Sequence, residues 1–159
     1  MNRPKFSPNA LFCGWLRLLA GFGWLVACCG SAKPRPIEDF RTTAIHHQAK
    51  PNGLIVDVIS KGQGRSTNIN ELVRVHYITT LENGTVIDSS HSRKPLLIRL
   101  GNDSNFIEGL HQGLSDMKVG ELRRVQVPPR LGYRGQKLAK IPPNVDLVLY
   151  LELMEIIGQ

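Results

Sequence analysis

The chain has 159 residues, 42% hydrophobic and 21% charged, with a formal net charge of +7. That length accommodates one domain with a proper core plus an appendage, and is too short for two ordinary domains. Three cysteines, Cys13, Cys28 and Cys29, all close to the N-terminus, exclude a disulfide framework or a cysteine-built metal site in the body of the chain, and its lysines and arginines, scattered apart from Arg123-Arg124, argue against a nucleic-acid partner.

Arg3, Lys5 and Arg17 precede an apolar stretch from Leu18 to Ala27, LLAGFGWLVA. It is shorter than the ~20 residues needed to cross a bilayer, and reads as the apolar region of a signal peptide. Leu25-Val26-Ala27-Cys28 looks like a bacterial lipobox, so residues 1–27 are expected to be a lipoprotein signal peptide and Cys28 the acylated new N-terminus. Two or three acyl chains hold a protein at a membrane firmly where one is marginal. Cys29 stands where an aspartate would retain a lipoprotein elsewhere, which points to the periplasmic side of the envelope and the outer membrane. Loss of the signal removes three positive charges and leaves +4, a mild charge that suits anionic lipid heads.

Residues 28–50 read as a lipidated N-terminus and flexible tether, with two prolines, mixed charge and no sustained apolar period. His46 and His47 fall in it; neighbours on an extended segment point to opposite sides, which is poor geometry for one metal ion. A solvated pair, no metal and no cofactor are expected.

The domain itself is expected over 51–159. A β-branched run, Leu54–Ile59, ends at Gly62 and Gly64. In the next strand Val73, Val75 and Tyr77 alternate with Arg74, His76 and Ile78, the period of a half-buried antiparallel strand. His76 therefore faces away from Tyr77 and is read as structural. An Asn83-Gly84 turn folds the chain back and brings Ile87 and Asp88 toward the surface that carries Tyr77. Ile107, Leu110, Leu114 and Met117 then form one apolar stripe on a short helix over Phe106–Met117, with Gly120 as its stop. A strand over Glu121–Val127 is cut by Pro128-Pro129, and a last strand alternates Leu147, Leu149, Leu151 and Leu153 with Val148, Tyr150 and Glu152. The fold class is α+β, a twisted antiparallel β-sheet wrapped around one short α-helix. An apolar pocket with one acid and one phenol suits a proline ring better than hydrolysis or redox chemistry.

The run VRVHYITTLENGTVIDSS from Val73 to Ser90, with Phe106-Ile107-Glu108-Gly109, Leu131-Gly132-Tyr133-Arg134-Gly135 and Ile141-Pro142-Pro143, resembles the FKBP family, immunophilins that isomerise X-Pro peptide bonds. The resemblance spans Gly53 to Ile157. It implies catalytic roles for Tyr133, Asp88 and Tyr77, and a substrate pocket of Ile87, Arg93, Leu96, Phe106, Ile107, Leu110, Ile141 and Leu149. In that family the tyrosine matching Tyr133 donates its hydroxyl proton to a ligand carbonyl, and the N–H matching Ile107 binds a second one. Tyr77 and Arg93 would hold the Asp88 carboxylate, and an arginine beside it favours the ionised form.

Where the best-known members have a tryptophan floor this chain has Leu110, and where they have three phenylalanines it has Ile87, Leu96 and Leu149. Lost aromatic terms of about 0.5–1.5 kcal/mol each imply weak tacrolimus or rapamycin binding. The loop Gln136–Lys140 is one residue shorter than in those members. Dimeric relatives carry a long helical region ahead of the domain that about twenty residues cannot supply, so a monomer is expected. The implied activity is peptidyl-prolyl cis-trans isomerisation of proline-containing polypeptides in the envelope. The alternatives are a non-catalytic chaperone or scaffold lipoprotein that binds proline segments, and a structural lipoprotein with an idle pocket.

Overall fold

The computed structural model describes residues 43–136 and 138–158. The signal peptide, Cys28 and the tether up to residue 42 lie outside the described residues, as does Lys137 of the loop before Ile141. The described chain runs β1 (His46–Ala49), β2 (Ile55–Ser60), β3 (Gln63–Ser66), β4 (Leu72–Leu81), β5 (Val86–Ser89), β6 (Leu96–Arg99), α1 (Glu108–Leu114), β7 (Lys118–Val119), β8 (Leu122–Val127) and β9 (Leu147–Gly158). The large sheet is antiparallel in the order β1-β2-β8-β9-β4-β5, while β6 pairs with the first half of β4; β3 and β7 form a separate two-stranded ladder.

Period-two patterning decides which face each strand buries. Val73 and Val75 on β4, Val125 and Val127 on β8, and Leu147 to Leu153 at alternate positions on β9 are all buried together under Leu110 and Leu114 of α1. Such burial of a branched side chain stabilises by about 1.5–3 kcal/mol each. His76 is buried on the opposite face, as its place in the alternation predicts, with its Nδ1 3.0 Å from Ser90 Oγ. Ile59, Ile78 and Leu122 form a second, smaller cluster, with Tyr150 packed against it.

The helix is shorter than the apolar stripe predicts. It ends at Leu114, and Ser115 is extended (φ −62°, ψ 139°). The reason is Arg123 of β8, whose guanidinium donates to the carbonyls of Gly113 (3.0 Å), Ser115 (2.7 Å) and Asp116 (3.0 Å) while its Nε meets Glu121 at 2.5 Å. The Gly113 carbonyl, which the Met117 N–H would take in a longer helix, is satisfied by this buried cation, as are those of Ser115 and Asp116 beyond the helix end. Met117 still reaches the core, but from the segment after the helix, where its N–H is taken by Thr67 Oγ1 at 3.1 Å. Gly120 is therefore no helix stop; with φ +78° it makes the turn between β7 and β8.

The other correction concerns the tether, because residues 46–49 form β1. Its four residues are all exposed, yet they pair with Ile55 to Val58 of β2. Both histidines are exposed, as expected of a solvated pair, but His47 is also tied to the domain: its Nδ1 lies 2.6 Å from Asp57 Oδ1, and Arg124 donates to Asp57 Oδ2 through Nε (3.0 Å) and Nη2 (2.7 Å). Burial alone would raise the Asp57 pKa, but the bonds from His47 and Arg124 hold it below its ordinary value. The Arg123-Arg124 pair is thus split across the sheet, Arg123 on one face with Glu121 and Arg124 on the other with Asp57.

Candidate functional site

At the end of the sheet beside the start of α1 lies a cavity of about 190 Å³. Tyr77 and Thr79 reach it from β4, Ile87 and Asp88 from β5, and Leu149 from β9. Leu96 of β6 and Leu110 of α1 complete its walls and floor, while Asn105, Phe106 and Ile107 close it from the connection between β6 and α1. Tyr133 enters from the loop after β8.

Consecutive residues of a strand point to opposite faces, so Ile87 and Asp88 need a local device to share one cavity. The β4–β5 register supplies it: Thr79 faces Asp88 and Thr80 faces Val86, leaving Ile87 as the extra residue of a bulge. The turn that feeds this arm is tight, with Gly84 at φ +83°, its N–H on Leu81 O at 2.9 Å, and the Thr85 N–H on Asn83 Oδ1 at 3.0 Å. Ser90 fixes the other end by accepting the Tyr77 N–H at 2.8 Å.

Asp88 accepts the Tyr77 hydroxyl at 2.6 Å on Oδ2 and pairs through Oδ1 with Arg93 Nη2. Arg93 is itself fixed by bonds from Nε (3.1 Å) and Nη2 (2.6 Å) to Ser89 O. Burial pushes the Asp88 pKa upward, but the Tyr77 hydroxyl, the Ser89 N–H and the charge of Arg93 together hold it below the ordinary carboxylate value. Tyr77 moves the other way, pushed up to about 12 by its burial and then by its bond to Asp88. At neutral pH the pair presents an ionised acceptor edge and a phenol whose proton is committed to it. This is not an acid–base catalyst poised near 7.

Two donors remain. Ile107, extended at φ −67° and ψ 147° just ahead of α1, takes its N–H into no hydrogen bond among the described residues. Tyr133 is 38% exposed, and its hydroxyl likewise has no hydrogen-bond partner among them. The Tyr133 loop is built by a 3₁₀ turn at Pro129–Leu131, from whose carbonyls Gly132 and Arg134 take their bonds, and by the left-handed pair Arg134 (φ 50°) and Gly135 (φ 76°).

The residues expected at the pocket therefore meet, with two exceptions. Arg93 does not line the cavity but holds Asp88 from outside. Ile141 does not line it either; it is buried in the main core, its backbone paired with Leu138 in a short bridge that closes the loop. Thr79 and Asn105 also line the cavity, outside the set that the sequence motifs mark. Thr79 was readable, since it stands two residues after Tyr77 on the same face of β4, whereas nothing local marks Asn105. Among the described residues no group of histidine, cysteine and acidic side chains has metal-binding geometry.

The fold and the cavity define an α+β domain with a small pocket set between a fixed carboxylate and two donors that have no partner among the described residues. The model of the FKBP-type peptidyl-prolyl cis-trans isomerase family matches residues 63–154. FK506-binding protein 1 of Dictyostelium discoideum is 38% identical over 104 residues, 64% of this chain and 96% of its own length. FK506-binding protein 4 of Mycosarcoma maydis is 38% identical over 106 residues, 67% of this chain and 28% of that protein. The chain spans about a quarter of the length of several such relatives. Among solved structures, FkpA from Escherichia coli superposes with a TM-score of 0.64 at 32% identity, over 75% of this chain and 55% of that one. AtFKBP13 gives 0.63 at 32% identity, over 70% and 98%. The chain belongs to the FKBP-type peptidyl-prolyl cis-trans isomerase family.

Proposed function

We propose that the protein isomerises X-Pro bonds in polypeptides, with the proline ring held over Leu110 and Leu149 in the 190 Å³ cavity. The observation that carries this reading is the pair of donors without a partner among the described residues, Ile107 N–H and Tyr133 hydroxyl, beside a cavity whose apolar floor and walls are Ile87, Leu96, Phe106, Leu110 and Leu149. Rotation about the bond costs about 18–20 kcal/mol because the amide loses its resonance. The twisted amide has a carbonyl that no longer lies in the ground-state plane, and donors fixed to meet it there favour it over the planar form. A thousandfold acceleration requires only about 4 kcal/mol of such preference. Asp88, ionised and tied to Tyr77 and Arg93, shapes the wall and carries no proton to the reaction.

The clients on this reading are proteins of the bacterial envelope whose folding waits tens to hundreds of seconds on X-Pro bonds. A lipidated Cys28 would hold the domain as a monomer on the periplasmic side of the outer membrane. Intact mass of the membrane-extracted protein tests the anchor, since an acylated chain beginning at Cys28 is expected and an unmodified chain contradicts it. Tacrolimus and rapamycin are expected to bind weakly, because four positions of the cavity are the aliphatic Ile87, Leu96, Leu110 and Leu149.

That aliphatic lining also favours a second reading, a chaperone that binds proline segments without turning them over. A protease-coupled assay on a prolyl tetrapeptide separates the two when run with Tyr133→Phe beside the parent protein. Under the catalytic reading the parent accelerates the slow phase and the variant loses about three- to tenfold of kcat/KM, one hydrogen bond's worth. No acceleration by the parent at micromolar protein, with undiminished protection of an aggregating client by both, supports the binding reading instead.

A further inference from the structure

The connection from β6 to α1 contributes Asn105, Phe106 and Ile107 to the cavity, yet it has no regular secondary structure to hold it. Its start is pinned by Leu100, which is buried and exchanges backbone bonds with Asn70 (2.9 Å) and Glu71 (3.0 Å). Its middle is turned by Asp103, whose Oδ1 accepts both the Asn105 N–H (3.2 Å) and the Asn105 amide (2.9 Å). Neither contact ties the loop to the helix it feeds.

His111 does. It is buried on α1, one residue after Leu110, between two open grooves of about 630 and 620 Å³ that flank the helix. Its Nδ1 accepts the Gly101 N–H at 3.2 Å, and its Nε2 lies 2.9 Å from Asp103 O. A backbone N–H can only donate and a carbonyl can only accept, so one tautomer satisfies both contacts: neutral, with the proton on Nε2. The same Asp103 carbonyl also accepts the Phe106 N–H at 3.3 Å. One imidazole thus bridges residues 101 and 103 to the second turn of the helix whose first residue follows Ile107.

We propose that His111 is a positioning residue of the site, acting through the 101–107 loop to hold Asn105, Phe106 and the Ile107 N–H in place. It touches neither the cavity nor, in the proposed reaction, the substrate; it fixes the wall from behind. Gly101 is exposed and Asp103 half-buried, so water can replace the imidazole when it is removed. The loop then loosens without the core coming apart, which separates this role from ordinary packing. A donor displaced by even a fraction of an ångström loses much of its worth in a twisted state that demands fixed geometry.

The effect on turnover rests on the isomerase reading, but the positioning itself does not, and the test keeps the two apart. In the parent protein, ¹⁵N spectra of the His111 ring are expected to show a proton on Nε2 and none on Nδ1. His111→Leu removes both contacts, His111→Asn keeps an acceptor near Gly101, and His111→Gln keeps a donor near Asp103. Amide exchange at Gly101, Asn105 and Phe106 is expected to rise at least about tenfold in His111→Leu, as for amides losing their local bonds, while that of β9 stays at parent rates. Smaller rises are expected in the other two variants, and kcat/KM should fall in the same order, by about tenfold in His111→Leu. A proton on Nδ1 in the parent, or parent-like exchange at all three amides in the variants that fold, overturns the proposal. If the parent lacks isomerase activity while the exchange results hold, the functional reading fails and the positioning role stands.

Discussion

Gly109 sits in the first turn of α1 with β8 directly beneath it. A Cβ placed there would lie 2.8 Å from Val127 Cγ2, and closer still to Cγ1. The backbone conformation at Gly109 is an ordinary helical one, so the obstacle to Gly109→Ala is contact with a fully buried valine alone. Two terms oppose each other. Alanine gains about 0.8–1 kcal/mol over glycine in a helix, while overpacking typically costs about 1–3 kcal/mol. The single variant should therefore lose up to about 2 kcal/mol, and the start of α1, which carries Ile107 and Leu110, should lift from the sheet. Val127→Ala alone removes two buried methyls at about 0.8 kcal/mol each, plus a cavity term, for about 2–3 kcal/mol in all. In the double variant the new Cβ occupies the space those methyls leave, so the costs should fall short of their sum by about 1–3 kcal/mol. Urea denaturation of the four proteins measures this directly, and kcat/KM on a prolyl peptide should recover in the double variant relative to Gly109→Ala. Additivity within about 0.5 kcal/mol would refute the idea that this glycine exists to let the helix approach β8.

His76 has its pKa lowered below the ordinary 6.5, first by burial and then by the nearby His91, against the opposing effects of Glu152 and Ser90. The unfolded chain then binds the proton more tightly than the folded one, so this contribution to stability is full above about pH 6.5 and is lost as the pH falls below it toward the folded-state value. Denaturation midpoints between pH 7.5 and 5 should decline more steeply for the parent than for His76→Gln; equal slopes would contradict the assignment. Tyr77→Phe removes the hydroxyl bond to Asp88 and should cost about 1 kcal/mol, at the low end for a bond to a charged group because the carboxylate is half exposed. The same variant should raise the Asp88 pKa, a shift that carboxyl ¹³C titration would detect and whose absence would show that the Ser89 N–H and Arg93 set it without the phenol. Arg123→Met leaves Glu121 buried without its partner and the carbonyls after α1 without a donor, for a loss of about 3–5 kcal/mol that Glu121→Gln in the same chain should partly restore.

The parts of the fold that could be read from sequence are those where one local rule acts alone. The alternation through Val73, Val75 and Tyr77 and the Asn83-Gly84 turn placed the hairpin, and the leucines of β9 named their own face. The differences arise where a distant residue overrides the local pattern. The stripe to Met117 is helical in spacing, but Arg123, brought across from β8, takes the Gly113 carbonyl that another turn would have used and those of Ser115 and Asp116 after it. β1 carries no apolar signal because all four of its residues face water; it is held by backbone pairing and by the His47–Asp57 contact, which sequence spacing does not reveal. In the site, the shared orientation of Ile87 and Asp88 depends on a bulge set by the partner strand. Ile141 looks like a pocket residue in its motif, yet in three dimensions it is claimed by the core.

The most direct test of the site is exchange spectroscopy on a short prolyl peptide, in which cis and trans forms give separate NMR signals and no protease intervenes. Uncatalysed exchange takes tens of seconds or longer, so mixing times near one second show none. With the full protein at micromolar concentration, cross-peaks between the two forms are expected within that second, and they should weaken with Tyr133→Phe. Peptide signals that shift on binding but never exchange would contradict an isomerase and leave the cavity as a binding site alone.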